Sequence, residues 1–354
     1  MRVLYFGTYE RRYPRNAQVI SCLRRAGVEV VERHVPVWDG RRESWSAGAT
    51  VALRLLLAEA RLLRRGQVEA DALIVGYPGH FDLPTARRAA RGRPVVFNPL
   101  VSLFDTLVAD RRRFEPTSRT ARIVAAVDRR ALRAADVVVA DTQANADFLA
   151  ELAQLPERQL TVCFVGAEEE FFQPGWAPED PATAVFVGKL IPLHGLETIL
   201  AAAHFAPDLN FRVIGSGQLQ DLLRSRPVNV EWIPWVEYAQ LPDELRRAGC
   251  ALGIFGTSDK ARRVIPNKAF QALACGVPLV TADTPAAREL LNDGASALLV
   301  PPGDPEALAE AVRRVLTDSD LARHLAEGGH AAYREKASED VLGARWRALI
   351  ESRL

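Results

Sequence analysis

Cysteine is scarce in this chain of 354 residues: Cys22, Cys163, Cys250 and Cys275 lie far apart, with no CxxC pair among them. That argues against a zinc knuckle or a dithiol redox motif and leaves four reduced core thiols. Long apolar runs are missing too. The most apolar stretch, Val51 to Leu63, is broken by Arg54, Glu59 and Arg61, so it reads as an amphipathic helix and falls short of the roughly 18 apolar residues a bilayer span needs. No apolar region followed by small cleavage-site residues opens the chain; Met1 to Gly7 reads as a buried strand running into a turn, and a cytoplasmic protein is expected. Lysine is nearly absent, four residues against 41 arginines, which makes each lysine informative. A charge of one sign is absent overall at +1, and no nucleic-acid partner is expected. The balance is uneven, since residues 1–170 carry 26 Arg and 21 acidic side chains, leaving 19 basic and 23 acidic for the rest. A mildly basic first lobe leaves open an anionic acceptor or peripheral contact at the inner membrane face, beside the plainer reading of a solvated surface.

What is present is a soluble globular composition, 48% hydrophobic and 25% charged, in a chain long enough for two domains with a core each. Short β-branched runs alternate with helical stretches, the pattern of parallel sheets covered on both faces. The first series of strands is Val3 to Phe6, Val28 to His34, Ala72 to Val75, Pro94 to Phe97, Val137 to Ala140 and Leu160 to Phe164. After a Pro- and Gly-rich loop from Gln173 to Pro181 the second is Ala184 to Val187, Asn210 to Ile214, Val228 to Trp232, Ala251 to Ile254, Pro278 to Thr281 and Ala297 to Val300. The expected fold is α/β, two doubly wound Rossmann-like domains: residues 1–172 with a final helix 339–354 crossing back to them, and residues 173–338. Ligands of such sheets sit beyond the carboxyl ends of the strands, so a site in a cleft between facing domains is expected.

Three segments carry phosphate chemistry. The strand ending Phe186-Val187 runs into Gly188-Lys189 and on to His194-Gly195, placing a lone lysine at a strand end; a surface lysine with no ligand is the alternative. Gly215-Ser216-Gly217 permits a tight turn and close ligand approach, but without a third glycine it is no dinucleotide fingerprint, which disfavours a nicotinamide-dependent reductase. The most informative stretch holds Lys260, Arg262, Arg263 and Lys268 around Pro266-Asn267. Four cations there precede or open a helix whose free N–H groups point the same way, and a diphosphate suits such a place. Gln271 lies one turn inside, where its amide reaches toward a ribose hydroxyl. Asp318-Ser319-Asp320 has the Asp-x-Asp form of a metal site but sits before a helix and reads as an N-cap. No metal site is expected.

Taken in order, Val187-Gly188-Lys189 with Pro192 and Gly195, Val213 to Gly217, Ala274 to Val280, and Glu289 to Gly294 through Val300 to Asp304 resemble the family 4 (group 1) retaining glycosyltransferases of GT-B fold. The resemblance covers nearly the whole chain. It implies transfer of a sugar from a UDP- or GDP-linked nucleotide sugar to the hydroxyl of a small-molecule, glycan or lipid-linked acceptor, as in glycan biosynthesis, with no cofactor and no metal. It also implies that Lys189 and His194 hold the donor diphosphate, the second being lysine in most of the family. The family's two glutamates, seven residues between them, fall on Arg263 and Gln271, so neither acid is kept. The base lies by resemblance on the loop Pro234-Trp235-Val236.

The donor-binding set is therefore Gly188, Gly215, Gly217, Trp235, Val236, Lys260, Arg263, Pro266, Asn267, Lys268 and Gln271, with Gly7 from the first strand end counted among them. On the acceptor side stand Tyr9, Arg12, Asp82, Asn98 and Asp105, and His80 joins Lys189 and His194 as a catalytic candidate. His80-Phe81-Asp82 reads first as a hydrogen-bonded turn, with a catalytic pair as the alternative. Two rival functions remain. One is a non-catalytic nucleotide-sugar-binding subunit, which the two missing glutamates favour; the other is a UDP-sugar epimerase, which needs a cluster of cleft acids and histidines that the sequence does not bring together.

Overall fold

Runs of four apolar residues such as Ala72-Leu73-Ile74-Val75 and Val137-Val138-Val139-Ala140 are buried at every position, as strands covered on both faces must be. The computed structural model describes residues 1–11, 13–38, 49–64 and 68–354. It divides into two compact units, Met1–Phe164 with Glu339–Leu354, and Val165–Ser338. The sequence reading put this division after residue 172; the structure puts Val165 to Phe172 with the second unit.

The first unit holds β1 (Arg2–Gly7), β2 (Glu29–His34), β3 (Ala72–Val75), β4 (Val95–Phe97), β5 (Val137–Ala140) and β6 (Leu160–Val162) in the spatial order β2-β1-β3-β4-β5-β6. Every pairing is parallel, and Leu4 faces Val31 on one side and Leu73 on the other. The chain leaves β1 for β2 at one edge and returns to β3 on the other side, so the order reverses between β1 and β3. Loops diverge at such a point, and their strand ends frame a crevice.

The final helix, Glu339–Glu351, packs within this unit on the helix Pro14–Arg25. A Cβ on Gly343 would lie 2.5 Å from the Cys22 carbonyl, so glycine lets the two helices touch. Ser21 Oγ donates to Glu339 at 3.0 Å and Arg347 Nη1 donates to the Ala26 carbonyl at 3.1 Å. Beneath them the wholly buried Arg15 donates to the Cys163 and Phe164 carbonyls at 3.1 and 2.6 Å. Its guanidinium lies 5.8 Å from the centre of the buried Trp346 ring.

The second unit repeats the plan with β7 (Asp180–Val187), β8 (Asn210–Ile214), β9 (Val230–Ile233), β10 (Ala248–Leu252), β11 (Leu279–Ala282) and β12 (Leu298–Val300), ordered β12-β11-β10-β7-β8-β9 and parallel throughout. Its reversal falls between β7 and β10, which puts the loops after those two strands at the natural ligand position of the unit.

Asp105–Asp110 forms a π-type turn, Gln220–Ser225 is 3₁₀, cut short by Pro227, and the helix after Asp318 runs over Ser319–Lys336. That helix tolerates Gly328 and Gly329 because a Cβ at either would strike the backbone, at Ala295 and Ser296 respectively. Asp318 accepts from the Asp320 and Leu321 N–H groups at 3.1 and 2.9 Å and caps it, as its place before a helix implies.

Candidate functional site

At the carboxyl edge of the second sheet the loop after β7 turns at Gly188, whose φ is +151°, and passes Lys189 before a short 3₁₀ segment Pro192–His194. The glycines of this edge are demanded by backbone contact. A Cβ on Gly215 would sit 1.9 Å from the Gly188 carbonyl oxygen, and one on Gly217 would sit 2.7 Å from that of Leu190. Leu190 N donates to the Ser216 carbonyl at 3.0 Å. The turn after β8 thus braces the Lys189 loop from behind.

From the other side of the reversal, Gly195 and Gly256 interlock: a Cβ on Gly195 would meet the Gly256 N at 2.6 Å, and Phe255 N donates to the His194 carbonyl at 3.1 Å. Gly303 N donates to the Phe255 carbonyl at 3.0 Å. Loops from β7, β8, β10 and β12 are therefore fixed to one another.

Into this frame comes the helix Asn267–Ala274, which starts after Pro266 with no side-chain cap. Lys268, on its first turn, sends Nζ 3.5 Å above the centre of the Phe186 ring, a cation–π contact. The same Nζ lies 2.7 Å from where a Cβ of Gly188 would be, with His194 next to that point. Lys268 is 7% exposed and its ammonium has no hydrogen-bond acceptor among the described residues. Burial pushes its pKa well below the usual lysine value, because removing water penalises the charged form. His194 is also buried, its Nδ1 against the Lys189 carbonyl and its ring edge-on to Phe186 at 5.7 Å. Lys189 itself is exposed. The loop that carries Lys189 and the helix that carries Lys268, 79 residues apart in sequence numbering, thus meet at Gly188.

Ser258 Oγ accepts from Ala261 N at 3.2 Å and starts the short helix Asp259–Arg263, which carries the buried Lys260 and the half-buried Arg263. Trp235 is 73% exposed, its indole N–H donating to Glu237 at 3.3 Å, and Val236 beside it is half-buried. Gln271 has a more specific placement than its sequence position implied. Its Nε2 donates to Tyr238 Oη at 3.1 Å, and that hydroxyl donates to the Glu168 carboxylate. Burial, then the charge of Glu168, raises the Tyr238 pKa. An ionised carboxylate only accepts, so the chain of donors runs from Gln271 to Tyr238 to Glu168 and leaves Gln271 Oε1 as the amide's acceptor for another group. Tyr238, Glu168 and Phe186 were not among the sequence candidates. A lone tyrosine on a loop carries no signal in the sequence.

The first unit treats its candidates differently. His80, read as a catalytic candidate, is corrected to a buried strut: Nδ1 meets the Pro78 carbonyl, and Nε2 lies 3.2 Å from Asp128, with the two side chains 1% and 0% exposed. Burial works to raise the Asp128 carboxyl, but His80 and hydrogen bonds from Phe104 N and Ser102 outweigh it and hold the pKa low. His80 and Asp82 do not pair. Asp82 is fully buried and accepts from Thr8 N at 2.7 Å and Thr8 Oγ1 at 2.9 Å.

Asp82 also explains Gly7, where a Cβ would lie 2.1 Å from its carboxylate oxygen; the glycine is required by this turn. Glu59 packs against Asp82, and burial together with that neighbour pushes its pKa up to about 9. Tyr9 is buried with its hydroxyl donating to Glu32 at 2.8 Å, and Asn98 is buried with Oδ1 accepting from Arg15 at 3.1 Å. Asp105 is buried at the head of the π-type turn. These acceptor-side residues line the interior instead of an open surface, and Asp82, Tyr9 and Asn98 have partners inside the unit. Arg12 lies outside the described residues.

Among the described residues no group of three or more His, Cys, Asp and Glu side chains is gathered to hold a metal ion. The four cysteines are buried, and none is in a disulfide.

Residues 167–331 match the family model of the glycosyl transferases group 1. The lipopolysaccharide core biosynthesis glycosyltransferase LpsE of Rhizobium meliloti is 24% identical over 176 residues, which cover 50% of this chain and 52% of that protein. D-inositol 3-phosphate glycosyltransferase 1 of Catenulispora acidiphila is 30% identical over 261 residues, 62% of this chain and 59% of that protein. The chain thus spans between about half and three fifths of these curated relatives. Among solved structures, Anabaena Alr3699/HepE in complex with UDP-glucose superimposes with a TM-score of 0.71 at 17% identity, covering 99% of this chain and 100% of that one. Sucrose-phosphate synthase from Thermosynechococcus elongatus gives 0.76 at 16%, with 99% and 98% covered. The fold is that of the GT-B glycosyltransferases, two parallel six-stranded Rossmann-like units with a helical C-terminus.

Proposed function

We propose that this chain is a glycosyltransferase that moves a sugar from a nucleoside-diphosphate sugar to an acceptor hydroxyl, with the donor bound at the carboxyl edge of the second sheet. The observation that carries the reading is Lys268: a buried amine with no hydrogen-bond acceptor among the described residues, on the first turn of an uncapped helix and against the Gly188 turn. A donor diphosphate supplies the missing negative charge, and the helix start adds its own N–H groups. Lys189, His194, Lys260 and Arg263 belong to the same role, stabilising the diphosphate as it leaves. The base is assigned to the side of Trp235 and Val236, and the ribose to Gln271. The Anabaena structure holds UDP-glucose, which supports a UDP-linked donor here, with GDP-linked donors as the alternative.

Metal independence and retention of anomeric configuration belong to the same proposal. Fixed cations take the part of a metal, and Glu168, the buried acid at Gln271, is engaged by Tyr238 instead of standing ready as a nucleophile. The acceptor is a small molecule, a glycan or a lipid-linked sugar, met in the cytoplasm or peripherally at a membrane. A second reading, a nucleotide-sugar-binding subunit without turnover, has one observation in its favour: Arg263 and Gln271 stand where the resemblance calls for acids. Release of UDP or GDP from a panel of nucleotide sugars, with and without EDTA, decides between the two. Turnover that survives EDTA is the expected result. Activity lost to chelation and restored by manganese would refute the metal-free mechanism, and tight donor binding with no turnover in any acceptor mixture would favour the subunit.

A further inference from the structure

The helix Ala49–Arg64 is apolar on two opposite sides. Val51, Ala58 and Leu62 enter the core of the first unit, with Leu55 packed beside them. On the far side Leu53, Leu56, Leu57, Ala60 and Leu63 follow the spacing of one helical face, and the four leucines are 58, 68, 51 and 45% exposed. A surface helix ordinarily turns a polar face outward, and a soluble monomer seldom shows a row of large aliphatic side chains.

The charges on this helix are also one-sided. Arg54, Arg61 and Arg64 are exposed, whereas its single acid, Glu59, is half-buried against Asp82. No exposed carboxylate on the helix offsets the arginines. Leucines that face solvent between arginines match a surface that is apolar at depth and anionic at its rim. A second copy of the same helix offers no acid for those arginines to meet. At 16 residues the helix is too short to span a bilayer, but it suits one lying in the headgroup plane.

We infer that the outward face of Ala49–Arg64 docks on an anionic lipid surface, inserting Leu53, Leu56, Leu57 and Leu63 and setting Arg54, Arg61 and Arg64 among the headgroups. The inference deepens the peripheral contact of the proposed function by naming the surface and the lipid charge. The lipid contact itself does not depend on donor chemistry.

The test is co-sedimentation of the full chain with vesicles of phosphatidylcholine containing about one third phosphatidylglycerol, against phosphatidylcholine alone. Wild type pellets with the anionic vesicles and is released as salt rises. Leu56→Ser with Leu57→Ser lowers the partition constant by about 10-fold or more. Arg54→Gln and Arg61→Gln lower it by about 5-fold each and flatten the salt dependence. All four side chains face outward, so the thermal midpoint and UDP affinity of each variant stay at wild-type values, which separates loss of docking from loss of fold or of the donor site. Absence of wild-type pelleting, or pelleting of the leucine variant equal to wild type, overturns the inference. So does a wild-type dimer that the leucine change dissolves in the absence of vesicle binding, since the face would then be covered by a second copy. Failure of UDP binding alongside normal vesicle binding contradicts the donor-site reading and leaves the docking surface standing.

Discussion

The carboxyl edges of the two sheets are built on the same plan and are spent differently. In the first unit the polar residues that look available in the sequence have partnered one another: His80 with Asp128, Asp82 with Thr8, Tyr9 with Glu32, and Asn98 with Arg15. Asn98 Nδ2 is a loose end, without a hydrogen-bond partner among the described residues. In the second unit a buried amine is left over, Lys268 Nζ, without a hydrogen-bond acceptor among the described residues, and it sits where the loops are pinned together by glycine contacts. A buried cation without a partner is costly. A fold keeps one where a ligand completes it, whereas satisfied buried groups mark scaffold. Whether a side chain's hydrogen bonds close within its own unit separates the two cases better than residue type does.

The comparison breaks first at Asp128. Removing one member of a buried pair leaves the other uncompensated, so Asp128→Ala should lower unfolding free energy by about 3 to 5 kcal/mol. Denaturant titration measures that, and UDP affinity of the folded fraction should stay within about 2-fold because the pair is scaffold. Lys268→Met should do the reverse. A charge-assisted contact is worth roughly 1.5 to 3 kcal/mol, so calorimetry should show UDP binding weakened about 10- to 150-fold while the thermal midpoint holds or rises. A large loss of binding from the first variant, or none from the second, would erase the distinction between the edges.

How far the sequence alone reached follows the same line. The strands Ala72 to Val75 and Val137 to Ala140 were legible to the residue, because strands buried on both faces have no polar position to blur their ends. The glycine turns and the helix start of the second edge were legible as well, since they speak through residue type and spacing. The first edge was not. Nothing in His80-Phe81-Asp82 announces that one side chain will reach Asp128 and the other Thr8, at sequence separations of 48 and 74. Tyr238 was illegible for a related reason: it matters through Glu168 and Gln271, and neither is near it in sequence.

Tyr238→Phe sharpens the account at that point. Without the hydroxyl, the Gln271 amide is no longer held with its oxygen outward, and one neutral hydrogen bond, about 0.5 to 1.5 kcal/mol, is lost. UDP affinity should fall about 3- to 10-fold, and the preference for UDP over 2′-deoxy-UDP should shrink with it. An unchanged preference would remove Gln271 from the ribose.

The smallest effect is expected from Glu59. Its pKa is raised to about 9 in the fold, so between its ordinary carboxylate value and about 9 the folded state holds a proton that the unfolded chain has released. Stability contributed by the group is full at low pH and declines as pH rises through that window. Glu59→Gln should flatten the decline and add on the order of 1 kcal/mol at pH 8, after discount for its partial exposure. Melting curves of both proteins from pH 5 to 9, a range of about 4 units chosen to bracket the shift, test it; parallel curves would contradict the assignment.

The most direct test of the central claim is proton uptake on UDP binding. Burial lowers the Lys268 pKa in the free protein, and a bound diphosphate raises it again, so the complex takes up a proton and affinity falls as pH rises above the lowered value. Titration calorimetry in buffers of different ionisation enthalpy, repeated over a series of pH values, should find uptake that passes through a maximum approaching about one proton. Lys268→Met should abolish that maximum. Uptake near zero throughout, or the same uptake in the variant, would show that the diphosphate is not what answers the buried charge.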